Sequence, residues 1–452
     1  MNSIQFLGAT GTVTGSKFLL TVNDTKFLVD CGLFQGLKKL RLKNWHSFHF
    51  PPKEIHSIIL THAHIDHSGY IPLIVKNGFR GNIFSTDATK GLCEILLPDS
   101  GHIQEDDAEF ANRHKTSKHS PALPLYTEED ARKSLKYFKP VKWKERKKIN
   151  QDLSFEIFNS GHILGSGIVK IYFGKKSITF TGDLGRQKNI IMKKPHRIDH
   201  TDYLVIESTY GDRIHGDADP EEILKNLIFK TIKRNGKILI PAFAVGRTQQ
   251  LLYLINKIKN KNPDLKARLY VDSPMATNAT RLFFDFGEEH AVTAEECESI
   301  RNNTRLVTTK EESIAIMNDP EPSIIISASG MATGGRVLHH LQTMLPDKKN
   351  TILFTGFQAA GTRGKSLVGG AGSIKIYGKF IPVHAEIHNM DTLSAHADSE
   401  EIVHWLHGFK SPPKTTFIVH GEPQASDELR KKIEHDLKWN VEIPQYEEKF
   451  SL

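Results

Sequence analysis

Short apolar stretches that alternate with polar residues dominate the first 85 residues. The stretches IQFLG, KFLLTV and KFLVDCG alternate as half-buried strands do, and Gly-rich turns separate them. The apolar stretch SIILTHAH predicts a strand that ends in a polar loop. Helical periodicity follows around 87–113 and 127–138, and further strands are predicted at SFEIF, IVKIYF, SITFTGD and YLVIES.

The pattern changes after about residue 208. Up to about 385, the apolar strands KILIPA, ARLYVDS, SIIISAS and TILFTG alternate with amphipathic helices over 221–235, 246–260 and 334–345. This alternation is typical of βαβ units on a parallel sheet. A helix near 398–408, the strand TTFIVHG, another helix and a last strand near 441–445 follow. The sequence therefore predicts a βαβ domain that is inserted into, or appended to, a strand-rich one.

Composition narrows the class of protein. The chain has 452 residues, of which 38% are hydrophobic and 25% charged, and this excludes wholesale disorder, collagen and coiled coil. No apolar run approaches the roughly 18 residues of a membrane helix, and the N-terminus does not resemble a signal peptide. Cys31, Cys93 and Cys297 form no CxxC pair, which disfavours a disulfide framework or a thiolate zinc site. We therefore expect a cytoplasmic protein without membrane attachment.

Positive charge is concentrated in one segment. Residues 131–148 contain nine Lys or Arg and one Glu, an excess equal to the net charge of +8 of the whole chain. One interpretation is a solvated surface. The other is a patch that attracts phosphates, with Tyr137, Phe138 and Trp143 available for stacking on bases. A smaller basic run at 38–43 has the same two interpretations.

The densest run of ligand-type side chains is Thr61-His62-Ala63-His64-Ile65-Asp66-His67, at the end of a predicted strand. Alternate residues leaving a strand can turn toward one point, so His62 and His64 can share a metal ion. Asp66 and His67 can then face a second ion. Such ligands suit Zn²⁺, with Mn²⁺ or Fe²⁺ as alternatives. A His-rich surface loop is the other interpretation, which the density of HxHxDH disfavours.

Three later residues also stand at predicted strand ends. His162 lies in a Gly-rich turn after SFEIF, Asp183 follows SITFTG, and His420 follows TTFIV. Singly, a strand-end His is more often structural than a ligand. Together with the HxHxDH string they give five His and two Asp, enough for two metal ions if one carboxylate bridges them.

These residues, in this order and with Asp30, resemble the metallo-β-lactamase fold. The segment 208–385, with Glu207 before it and Ser394-Ala395-His396-Ala397-Asp398 after it, resembles the β-CASP nuclease branch of that fold. This branch includes the pre-mRNA 3′-end endonuclease, RNase J and bacterial RNA-processing nucleases. The strings at 241–247 (PAFAVGR), 329–331 (SGM) and 356–358 (GFQ) are similar to β-CASP sequence as well.

The resemblance implies an α/β architecture. A four-layer αββα metallo-β-lactamase domain would be formed by 1–207 and 386–452. The segment 208–385 would be an inserted β-CASP domain, a parallel sheet flanked by helices. The sequence shows neither the C-terminal dimerisation domain of RNase J nor the KH-like N-terminal extension of archaeal members. We therefore expect a layout similar to the stand-alone bacterial enzymes.

The resemblance also implies roles for single residues. One metal ion would bind His62, His64 and His162, and a second would bind Asp66, His67 and His420, with Asp183 as the bridge. Asp30 would fix a ligand imidazole from behind. Glu207 and His396 match the acid pair of the family, in which Glu207 orients His396. The implied catalytic residues are thus Asp66, Glu207 and His396.

Of four further residues in the second half of the chain, two are candidates for binding substrate. Ser329 and Arg363 are candidates for contacts to substrate phosphates, the latter within the Gly-rich stretch 361–365 (GTRGK). His384 and His388 lie shortly before His396 in sequence, and we interpret them as cleft or strand residues rather than as ligands or acids.

The function expected is that of a metal-dependent ribonuclease, with two Zn²⁺ ions per chain, or Mn²⁺, activating a water that attacks single-stranded RNA. A homodimer is considered as well. The alternatives are a DNA nuclease, an ester or thioester hydrolase with the same two-metal centre, and a non-catalytic RNA-binding paralogue. The last has lost ligands in known cases, whereas every ligand position is filled here.

Overall fold

The computed structural model describes residues 2–356, 358–359 and 361–452. The chain divides into two compact units. The first contains the chain up to Asn189, Lys193–Ile214 and His396–Leu452, and the second contains Ile190–Met192 and His215–Ala395. The domain boundaries that the sequence suggested, after 207 and after 385, stay predictions.

The described residues form 22 strands and 14 α-helices. The strands are β1 (Ser3–Phe6), β2 (Phe18–Val22), β3 (Thr25–Val29), β4 (Ile55–Ile59), β5 (Asn82–Ser85), β6 (Phe138–Pro140), β7 (Lys147–Lys148), β8 (Leu153–Asn159), β9 (Gly167–Phe173), β10 (Lys176–Phe180), β11 (Tyr203–Glu207), β12 (Ile238–Pro241), β13 (Arg268–Asp272), β14 (Thr304–Val307), β15 (Ser323–Ser327), β16 (Thr351–Phe354), β17 (Ser373–Ile376), β18 (Lys379–Pro382), β19 (Glu386–Asn389), β20 (Thr415–Val419), β21 (Val441–Glu442) and β22 (Lys449–Ser451). The helices are α1 (Lys38–Lys43), α2 (Ile65–Ser68), α3 (Ile71–Lys76), α4 (Asp87–His114), α5 (Glu128–Ser134), α6 (Pro220–Lys233), α7 (Arg247–Lys261), α8 (Pro274–Asp285), α9 (Ala294–Asn303), α10 (Lys310–Asn318), α11 (Val337–Met344), α12 (Arg363–Val368), α13 (Ser399–Leu406) and α14 (Pro423–Leu437).

Two seven-stranded sheets form the centre of the first unit. Their strand orders are β22-β1-β2-β3-β4-β5-β6 and β21-β20-β11-β10-β9-β8-β7. The apolar faces of the two sheets meet in one core, in which the rings of Phe18 and Phe180 lie 5.7 Å apart and those of Phe6 and Phe417 lie 5.2 Å apart. Burial of such apolar surface is the main favourable contribution to folding.

Helices cover the outer faces of both sheets. Helix α4 packs against β6 and, together with α3 and α5, covers the first sheet. On the second sheet, Trp405 of α13 and Leu429 of α14 join the core with Ile206 and Ile418. The order helix, sheet, sheet, helix is the predicted αββα arrangement, and the fold class is confirmed.

The second unit has a six-stranded parallel sheet of order β14-β13-β15-β12-β16-β19, with a separate hairpin β17-β18. Helix α11 packs against the apolar face of this sheet through Val337, Leu341 and Met344. The parallel sheet flanked by helices agrees with the βαβ alternation in the sequence. Strand β19 pairs with β16, which places 386–389 in this sheet.

No helix in the part of the chain that the structure describes is long and apolar enough to cross a membrane. Cys31, Cys93 and Cys297 are buried free thiols.

Candidate functional site

The carboxyl ends of several strands of the first unit carry the predicted polar residues. Strands β3 and β4 are parallel neighbours, as are β10, β11 and β20. Strand β8 runs in the same direction as β10 because each is antiparallel to β9. Parallel strands end at the same edge of a sheet, and these strand ends carry the candidate side chains: Asp30 and His62 on the first sheet, and His162, Asp183, Glu207 and His420 on the second.

Three imidazoles and one carboxylate form the first group. His62 Nε2 lies 3.1 Å from His64 Nδ1, which lies 3.2 Å from His162 Nε2. Asp183 Oδ2 completes the group, 3.3 Å from His62 Nε2 and 3.4 Å from His162 Nε2. Burial lowers the pKa of all three histidines, that of His64 to about 3, so the neutral form that binds metals is favoured.

The second group contains Asp66, His67 and His420. His420 Nε2 lies 3.2 Å from both His67 Nε2 and Asp66 Oδ2. The other oxygen of Asp183, Oδ1, lies 3.2 Å from His67 Nε2. The two oxygens of Asp183 thus face the two groups, as the sequence-based assignment of a bridge requires.

The spacing of these atoms fits metal binding. Four ligands at about 2.0–2.1 Å from a tetrahedral ion lie about 3.3 Å from one another. The distances of 3.1–3.4 Å in the first group match this value. In addition, Asp183 Oδ1, which faces the second group, is buried and forms no hydrogen bond with a described residue, although burial of an unpaired polar atom is costly. The donor set therefore fits divalent metal ions.

Asp30 lies behind the second group and contacts His67. Its Oδ2 is 2.7 Å from His67 Nδ1, and its Oδ1 accepts a hydrogen bond from the backbone N–H of Thr61. Burial opposes a charge on His67, yet the carboxylates of Asp183 and Asp30 raise its pKa well above the ordinary value. The contact with Asp30 orients the imidazole so that Nε2 faces Asp183.

Glu207 and His396 form a pair beside the first group. His396 Nδ1 lies 3.1 Å from both carboxylate oxygens of Glu207, and the rings of His396 and His162 lie 4.4 Å apart. Glu207 is buried, whereas the side chain of His396 is 20% exposed. Burial alone would lower the pKa of His396, but the carboxylate of Glu207 raises it to about 9. The imidazole is thus held in its protonated form beside the metal-type ligands.

The sequence did not point to Thr209 or Ser16, which the structure places at the site. The hydroxyl of Thr209 donates to Glu207 Oε2 and lies 3.1 Å from His420 Nδ1, so it contacts both the acid pair and the second group. Ser16 Oγ lies 3.3 Å from His67 Nε2. Thr209 lies two residues after Glu207, the last residue of β11. This position near a strand end is the signal in the sequence that could have identified Thr209 as a site residue.

The remaining candidates lie in the second unit. Arg363 donates hydrogen bonds to the backbone carbonyls of Thr333 and Lys375, and the hydroxyls of Ser329 and Thr333 lie 2.9 Å apart. Their phosphate contacts stay predictions. His388 lies 3.2 Å from Glu386 within the second unit, to which His384 also belongs. Of the string 356–358, Phe357 lies outside the described residues.

A four-layer sandwich whose strand ends bring buried His and Asp side chains together defines a metal-dependent hydrolase. Family models agree: the Metallo-beta-lactamase superfamily domain matches residues 19–207 and the Beta-Casp domain matches 248–367. A third model, the Zn-dependent metallo-hydrolase RNA specificity domain, matches 381–444.

Curated proteins and a solved structure are similar as well. The chain is 33% identical over 428 residues to Ribonuclease TTHA0252 of Thermus thermophilus, covering 92% of each chain. It is 28% identical to the Transcription termination factor FttA of Methanocaldococcus jannaschii, over 98% of this chain and 70% of that protein. A crystal structure of a protein of unknown function from Enterococcus faecalis shares the fold, with 13% identity, full coverage of both chains and a TM-score of 0.56. The chain belongs to the metallo-β-lactamase superfamily and, within it, to the β-CASP family.

Proposed function

We propose that this protein is a metal-dependent ribonuclease that hydrolyses phosphodiester bonds of single-stranded RNA. The observation that supports it most is the combination, at strand ends of the two sheets, of two metal-type ligand groups around Asp183 with the adjacent pair Glu207–His396. The two ligand groups would hold the metal ions that activate the attacking water. The pair Glu207–His396 would supply a proton for the leaving oxygen.

We propose a separate role for each of these residues in the reaction. Bound ions, which we propose to be two Zn²⁺ or Mn²⁺, supply Lewis-acid activation of water and neutralise phosphate charge. His62, His64 and His162 would hold one ion, Asp66, His67 and His420 the other, and Asp183 both. Asp30 fixes the orientation of the His67 ring. His396 is positioned by Glu207 to donate a proton to the departing ribose oxygen.

We propose RNA rather than the alternative substrates for two reasons: the names of similar proteins and family models, and the net positive charge of the chain. One similar protein is named a ribonuclease, and the family model at 381–444 is named for RNA specificity. The net charge of +8 favours a polyanionic substrate over a small neutral ester. A non-catalytic RNA-binding role is disfavoured because the seven ligand-type side chains are all in place.

The test uses purified protein with end-labelled and internally labelled RNA and DNA of one sequence, with and without a chelator. We expect chelator-sensitive cleavage of the RNA, restored by adding Zn²⁺ or Mn²⁺. Efficient cleavage of DNA alone, or turnover of a thioester without RNA cleavage, would contradict the proposal. The homodimer and the cytoplasmic location stay predictions, and sedimentation of the metal-loaded protein tests the former.

A further inference from the structure

Cationic residues lie one after another along strand β8 of the first unit. Strand β7 pairs with β8 so that Lys148 is opposite Ser154 and Lys147 is opposite Phe155. Arg146 Nε donates to Ser154 Oγ. Further along β8, the backbone N–H of Lys144 donates to the carbonyl of Ile157 at 2.9 Å. The backbone N–H of Glu145 donates to the carbonyl of Lys142 at 3.3 Å, and this turn places Lys142 next to Lys144 in the row.

The same row of charge continues to the candidate metal centre. Asn159, the last residue of β8, donates through Nδ2 to the carbonyl of Lys194 at 3.0 Å. Its Oδ1 accepts the N–H of Gly161, which immediately precedes His162. Five residue steps of about 3.3 Å separate Ser154 from Asn159, so the row extends about 17 Å from the turn that bears His162.

The lysines of this row form no ion pair with a described residue, although Glu145 lies among them in sequence and Glu156, which accepts a hydrogen bond from Tyr172, lies on β8. Lys142, Lys144 and Lys147 are exposed, and none has an ion pair within the described parts of the chain. By contrast, Arg132 and Lys133 of the same basic run pair with Glu128 and Glu129 one helical turn earlier. The row is therefore a distinct part of the basic segment 131–148.

Protection of a sheet edge is the simplest alternative explanation. Lysines on an edge strand prevent pairing with another chain, and β7 is the edge strand of its sheet. This accounts for Lys147 and Lys148 but not for Lys144 and Lys194, which lie outside the strands. The stacking predicted for Phe138 is wrong because this ring is buried, and Trp143 packs against the core between the sheets. What the row offers a ligand is thus charge, not stacking.

We propose that Lys142, Lys144, Arg146, Lys147 and Lys194, here called the β8 strip, hold the backbone of single-stranded RNA that extends from the metal centre. This inference rests on the proposed function and adds to it the surface that binds RNA on one side of the cleaved bond. A stacked strand advances about 3.4 Å per nucleotide, so the strip matches about five nucleotides. Contacts to phosphates alone are independent of sequence.

The test compares two charge reversals in the metal-loaded protein. The first replaces three strip residues (Lys142→Glu, Lys144→Glu and Lys147→Glu). The matched control replaces three exposed lysines elsewhere in the first unit (Lys53→Glu, Lys118→Glu and Lys449→Glu), which likewise have no ion pair with a described residue. KM for cleavage is measured with a 20-nucleotide and a 4-nucleotide RNA over a range of salt concentrations.

For the strip variant we expect KM for the long RNA to rise at least about tenfold. The slope of log KM against log salt should fall by about 2, because each lost phosphate contact removes about 0.7. The control should match the wild type. Equal effects of the two variants, or no effect of the strip variant, would overturn the inference. If the Glu variant loses its metal, the corresponding Gln variant is tested for the same loss of slope. Failure of the wild type to cleave RNA would instead contradict the proposed function.

Discussion

Replacement of His396 by Ala should separate proton donation from metal binding. The ring contacts the candidate ligand His162 but is not needed to complete either candidate ligand group, each of which contains three other side chains and Asp183. We therefore expect His396→Ala to retain the wild-type metal content while its cleavage rate falls about 10²- to 10⁴-fold, the loss typical of a positioned general acid.

Glu207→Gln should have a smaller effect of the same kind. A charged hydrogen-bond partner contributes about 1–1.5 kcal/mol more than a neutral one, and both oxygens of Glu207 lie 3.1 Å from His396 Nδ1. This corresponds to about a tenfold loss of rate. Because removal of the carboxylate lowers the pKa of His396, less of the ring stays protonated as pH rises, and the loss should grow with pH.

The assay is single-turnover cleavage of labelled RNA at several pH values, with metal content measured by elemental analysis. His46→Ala, which changes an exposed histidine of the first unit, is the control and should behave as the wild type. Loss of metal from His396→Ala would identify His396 as a ligand. A near-normal rate in that variant would remove it from the mechanism.

Three other predictions concern the second ligand group, the residue Thr209 that contacts it, and the buried carboxylate of Asp272 in the second unit. His420→Ala should lower the metal content by about one ion per chain and abolish cleavage; unchanged content by elemental analysis would show that His420 is not a ligand. Thr209→Val should weaken metal binding about 10- to 100-fold, as is typical for a group that orients a ligand, measured by competition with a chelating dye. Asp272→Ala should destabilise the second unit by about 3–5 kcal/mol, because Arg336 and His340 lose the buried carboxylate they contact, measured by hydrogen exchange. Hydrogen bonds from these residues outweigh burial and lower the pKa of Asp272, so its contribution is present above the ordinary value near pH 4 and is lost in stronger acid.

The density of ligand-type residues in the sequence explains why the residues that the structure brings together could be selected as candidates from the sequence. Four ligand-type residues lie within the six positions from His62 to His67, and the other three each follow an apolar strand. Strand ends are also where the αββα fold brings distant segments together, so periodicity alone located His162, Asp183 and His420 correctly relative to their strands.

Long-range and non-periodic features could not be predicted in this way. Strand β22 pairs with β1 across the whole length of the chain, and the sequence gives no local indication of that partner. Thr209 contacts His420 across 211 positions, and a single Thr after a strand is too common to stand out. The charge of the basic segment 131–148 could be read from the sequence, but the arrangement of its lysines along β8 could not. That arrangement depends on the pairing of β7 with β8.

The connections of the second unit suggest a last prediction. All seven candidate ligands and the pair Glu207–His396 belong to the first unit, and the long segment 215–395 of the second unit begins after Ile214 and ends before His396. The backbone N–H of Ser399 donates to the carbonyl of Arg213 at 3.2 Å, so the two connections are adjacent. Replacement of 215–395 by a short Gly/Ser linker should therefore preserve metal content while RNA cleavage falls, if the second unit contributes substrate contacts such as those predicted for Ser329 and Arg363. Elemental analysis and RNA cleavage of the shortened chain measure the two effects. Loss of metal would show instead that the second unit is needed to keep the ligand groups in place.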